Sequence, residues 1–132
     1  MMNQEIKAQW VERLRSGEIE QTAGKLGTKD GKRCCLGVLC DLAAEAGVVK
    51  TEPNDIGYLV YLDSDEDEFG EQSVLPLSVQ KWAGITQVNP WVKLLAVDEG
   101  TGEPYEANDT LASLNDAGRT FPEIADIIDA QL

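Results

Sequence analysis

The chain has 132 residues, carries 24 acidic against 11 basic side chains and no histidine, and bears a formal net charge of −13. That length is one ordinary domain (residues 1–132), able to bury a core without a metal or disulfide staples. The acid excess excludes general binding to nucleic acid or anionic membrane, and the missing histidine removes the commonest general base and metal ligand.

Met1–Lys7 lacks the apolar core of a signal peptide, and no apolar run reaches membrane-spanning length. Ile6, Trp10 and Leu14 repeat at helical spacing and predict a first helix over 3–15, stopped at Ser16-Gly17. A basic hairpin is expected over Lys25–Arg33, turning at Asp30-Gly31. It runs into a second helix over 35–46, where Leu36, Leu39, Cys40 and Ala43 share a face. Gly37 is a poor helix former there, and close approach of another element would explain it.

Tyr58–Leu62 reads as a strand, followed by an acidic loop. Pro76 and Gly84 bound a short helix. Trp91–Val97 predicts a strand that turns at Asp98–Gly102 and returns near Tyr105. Asp109 is placed to cap a helix over 110–117, and Thr120-Phe121-Pro122-Glu123 has the spacing of a capping box opening a last helix. Leu111, Leu114, Phe121, Ile124, Ile127 and Ile128 supply a shared apolar seam. Glu123, Asp126 and Asp129 exclude this helix pair as a DNA reader. Asn115 and Asp116 fit a structural role at a helix end. The sum is an α+β fold of about five helices with a small antiparallel sheet or hairpins.

Charge is unevenly spread. Residues 1–50 hold eight basic and seven acidic side chains, whereas residues 51–132 hold three and seventeen. Lys25, Lys29, Lys32 and Arg33 form one cluster; Asp63, Asp65, Glu66, Asp67, Glu68 and Glu71 form another. If the second helix starts near Cys35, its free amides and the adjacent cations make an anion site of Lys25, Lys29, Lys32, Arg33 and Cys34, suited to a small phosphorylated ligand. The alternative is a solvated hairpin. The same setting would lower the thiol pKa of Cys34. Cys34, Cys35 and Cys40 make neither a disulfide framework nor a zinc pattern, and read as buried free thiols in a reducing cytoplasm. Asp63, Asp65 and Asp67 start like a calcium loop, but Glu68 replaces the turn glycine and Val74 the closing glutamate. No metal or cofactor is expected. Asp63, Asp65, Glu66, Asp67 and Glu68 instead suit a solvated loop or contact with a basic protein. Trp10, Trp82 and Trp91 exceed what a small core must hide and point to self-association.

Leu14-Arg15-Ser16-Gly17 with Gln21, Cys34–Asp41, Leu75-Pro76 with Val79 and Trp82-Ala83-Gly84, Asn89-Pro90, Leu114-Asn115-Asp116 with Gly118, and Thr120-Phe121 with Glu123–Asp126 follow one another along the chain. In this order they resemble a group of small proteins of tailed bacteriophages and prophages, with residues 50–72 and 93–108 outside the match. The resemblance implies no catalytic residues. It implies a non-enzymatic accessory protein in the host cell cytoplasm that blocks or sequesters a host or defence component. Two further readings stand beside it: an acidic nucleic-acid mimic masking a basic host protein, and an enzyme or redox thiol protein.

Overall fold

The helix that is apolar almost all round becomes the centre of the molecule. In a computed structural model of the chain, residues 2–63 and 70–132 are described. Helix α2 (Cys35–Glu45) buries Cys35 through Cys40, with Leu42 and Ala43, as a helix without a polar face must. Around it lie α1 (Gln4–Arg15), α3 (Leu77–Ala83), α4 (Leu111–Asp116) and α5 (Phe121–Gln131). Two antiparallel hairpins complete the α+β fold: β1 (Lys50–Pro53) with β2 (Leu59–Leu62), and β3 (Trp91–Val97) with β4 (Pro104–Thr110). Among the described residues, no helix is long and apolar enough to cross a membrane.

Local chemistry sets the helix ends. Asn3 accepts hydrogen bonds from the amides of Glu5 and Ile6 at the start of α1. Thr120 and Glu123 form the expected capping box of α5. Gly84 ends α3 in the left-handed region, at φ +73°. The cap of α4 differs from expectation. Thr110, not Asp109, receives the Ser113 amide (3.2 Å), while the Asp109 carboxylate accepts from the Thr110 amide (2.8 Å) at the end of β4.

One core draws on all five helices. The expected seam of Leu111, Leu114, Phe121, Ile124 and Ile128 is buried, with Ile127 half-buried at its margin. α5 packs along α1, whose Ile6, Trp10, Val11 and Leu14 point inward. Trp10 is not surplus to this core. It is fully buried, and its indole donates to the Cys35 carbonyl at 2.9 Å. Trp82 is half-buried and Trp91 exposed.

The basic segment is not a regular hairpin. Its turn does close near Asp30-Gly31, with the Thr28 amide donating to Lys32 (2.9 Å) and the Gly31 amide to Thr28 (3.1 Å). Beyond the turn only isolated bridges form: Gly27 and Gln21 each with Arg33, and Thr28 with Tyr58. The reason is the neighbour underneath: the segment lies directly on α2. A Cβ at Gly37 would stand 1.8 Å from the Leu26 carbonyl oxygen. Helix propensity alone predicts that Gly37→Ala stabilises the chain by about 1 kcal/mol. The contact predicts a loss of about 3 kcal/mol or more, because backbone must move. Urea denaturation decides the sign, and unchanged or raised stability contradicts this packing.

Candidate functional site

Lys25, Arg33 and Cys34 each engage a different neighbour within the chain. Arg33 folds back over α2. Its Nε donates to Asp41 Oδ2 at 2.7 Å, and its NH1 donates to the carbonyls of Lys32 (2.8 Å) and Thr28 (3.2 Å). The other Asp41 oxygen accepts from the Tyr61 hydroxyl at 2.6 Å. Tyr61 is buried, and burial, then the charge of Asp41, pushes its phenol far above the ordinary range. Asp41 thus joins the basic segment, α2 and β2, and Arg33 is held in this clasp. Lys25 sits 5.6 Å from the Tyr58 ring centre, a cation–π contact. Lys32 is half-buried and Lys29 exposed.

The start of α2 is closed from the inside. Cys34 is its N-cap, and the Cys34 sulfur accepts from the Gly37 amide at 3.4 Å. The Cys35 amide donates to Asn115 Oδ1 at 3.1 Å, an acceptor shared with Gln21 Nε2 at 2.9 Å. Asn115 Nδ2 in turn donates to the Thr22 carbonyl at 2.7 Å, and Asp116 accepts from the Gly24 amide at 2.9 Å. Asn115, 3% exposed, therefore satisfies both the helix start and the segment lying across it. Nothing in local pattern marks Asn115 as the partner of a residue eighty positions away. Its membership of the Leu114-Asn115-Asp116 match was the only signal.

Burial also decides the thiols. Cys34, Cys35 and Cys40 are free and buried. The expected lowering of Cys34 is reversed: desolvation outweighs the bonds from the Gly37 and Leu36 amides and pushes the thiol from 9.0 to about 11. Cys35 and Cys40 are also pushed up, mainly by burial. Among the described residues, no three His, Cys, Asp or Glu side chains gather as a metal site.

The arginines are all engaged. All four arginines of the chain face a carboxylate: Arg13 with Glu45, Arg15 with Asp126 (2.6 Å), Arg33 with Asp41 (2.7 Å) and Arg119 with Glu123 (3.4 Å). Asp63 accepts from the Ser78 amide (3.1 Å) and hydroxyl, anchoring the first turn of α3, whose Pro76 cap offers no side chain. Asp65, Glu66, Asp67 and Glu68 lie outside the described residues. Glu52, Asp55, Glu99 and Glu103 are exposed and have no ion-pair partner among the described residues.

The sequence matches, over residues 2–132, the family described as a domain of unknown function, DUF8296. The chain belongs to that family. No curated protein and no solved structure matches it. The match spans both α2 and Asn115, so the closed helix start lies within the DUF8296 region.

Iodoacetamide at about pH 8 is expected to leave all three thiols unmodified in the folded protein and to label them on unfolding. Fast labelling of native Cys34, read by mass spectrometry, contradicts its burial. The folded Cys34 thiol lies above its unfolded value, so its contribution to stability is complete below 9.0 and is lost as pH rises to about 11.

Proposed function

We propose that this DUF8296 chain is a non-enzymatic phage accessory protein whose acidic surface covers a basic protein of the host or its defences. The observation that carries this reading is the division of charge. Every arginine is paired within the fold, while Glu52, Asp55, Glu99 and Glu103 face solvent. Opposite charge on a partner would steer its approach and set its orientation. The resemblance to phage proteins supplies the setting. A phosphorylated ligand at Lys25–Cys34 has weaker support, because the Cys35 and Gly37 amides and Arg33 already have partners.

The test immobilises the chain in bacterial lysate and compares it with a variant carrying Glu52→Gln, Asp55→Asn and Glu103→Gln. A basic protein should be retained at about 50 mM salt, released near 500 mM, and held at least about fivefold less by the variant. Equal retention by the variant, or retention unchanged by salt, overturns the reading.

A further inference from the structure

The β3–β4 hairpin carries an unusual edge. Residues 91, 93, 95 and 97 lie on one face of β3, and Trp91, Leu95 and Val97 are 59%, 79% and 61% exposed. The backbone groups of these same residues point away from β4. Lys93 shows this directly: its amide donates to Gln131 Oε1 and its carbonyl accepts from Gln131 Nε2, both at 2.7 Å. The Trp91 amide likewise donates to Gln87 Oε1 at 3.0 Å. Side-chain amides therefore cover the first half of this edge as a neighbouring strand would.

The cover stops there. By the two-residue period of an antiparallel ladder, the amides and carbonyls of Leu95 and Val97 also face outward. No α5 residue reaches them, because Gln131 is the last residue of that helix. The outer edge of β4 is different. Pro104, paired with Val97, has no N–H to offer, and Glu106 places a charge beside it.

We propose that β3 pairs antiparallel with β3 of a second copy, across a two-fold axis at Ala96. Leu95 of one copy then lies opposite Val97 of the other, twice. Each is an outward-facing pair, so the two pairs exchange four backbone hydrogen bonds without disturbing the Gln131 clip. Leu95 and Val97 from both copies become one apolar patch. The charges fit the same register. Lys93 is the only charged residue within β3; its Nζ stands 3.8 Å from Glu106 of its own hairpin, and antiparallel pairing brings it level with Glu99 of the second copy, in the turn after β3. A parallel arrangement would stack Lys93 on Lys93. Self-complementarity is what an isologous two-fold contact requires. The dimer takes Glu99 into its own contact and leaves Glu52, Asp55 and Glu103 to the basic partner.

Salt gives the contact a distinctive signature. Two chains of net charge −13 repel at long range, so screening strengthens their association, opposite to the effect on a basic partner. Sedimentation equilibrium of the full chain, from about 1 to about 200 µM, reads this directly. The wild type should be a dimer at the upper concentrations and associate more tightly at high salt. Leu95→Lys, with its fold checked by circular dichroism, should weaken association at least about tenfold. Lys93→Glu should weaken it about threefold, and adding Glu99→Lys should restore it, which a merely misfolded hairpin would not do. A wild type that stays monomeric overturns the proposal. A dimer unaffected by Leu95→Lys, or a charge swap that fails to restore it, overturns it as well.

Discussion

The contact between Gly37 and the Leu26 carbonyl is the constraint on which the arrangement of this protein depends. A helix presenting any side chain at position 37 could not take the 19–33 segment against its surface. With glycine there, backbone meets backbone, and the Cys34 amide donates to the same Leu26 carbonyl at 3.1 Å. Three consequences follow from that close approach. Cys34 becomes the N-cap of α2, Arg33 is carried over Asp41, and residues 21–24 lie within reach of Asn115 and Asp116. Hydrophobic burial around α2 supplies the driving force, while these polar contacts fix one arrangement among many that would bury similar area.

That economy leaves the chemically suggestive residues engaged within the fold. Adjacent cysteines at a helix start, with an arginine before them, have the outward form of a reactive or anion-binding site. Here the sulfur and Asn115 occupy the amides, burial holds the thiols neutral, and Asp41 holds the arginine. What remains for a partner is the outer surface: unpaired carboxylates and the exposed face of β3. Glu52, Asp55, Glu99, Glu103 and β3 all lie in the rear of the chain, the acidic part that the charge distribution had already separated from the near-neutral front.

Features set by neighbouring residues were legible in the sequence. Gly84 and the Thr120–Glu123 box act within one helical turn, and the structure has them as expected. Gly37 was legible as an anomaly, though not the identity of what approaches it. Thr110 took the cap assigned to Asp109 because β4 runs one residue further than the helix pattern suggested. β1 was missed because Lys50–Pro53 is exposed at every position and shows no alternation. The Arg33–Asp41–Tyr61 clasp and the Cys35–Asn115 bond join residues distant in sequence, and no local period encodes them. Cys34 went the wrong way for the same reason: its charged neighbours are local and were counted, whereas its burial is a property of the whole fold.

The central claim is that the start of α2 is sealed within the structure and unavailable to a ligand. Native-state hydrogen exchange tests it most directly. The Cys34, Cys35 and Val38 amides, held by Leu26, Asn115 and the Cys34 carbonyl, should exchange only through global unfolding, with protection that tracks denaturant stability. Exchange of these amides within seconds under native conditions, while the α2 interior stays protected, would mean that the helix start opens to solvent, and would contradict the account.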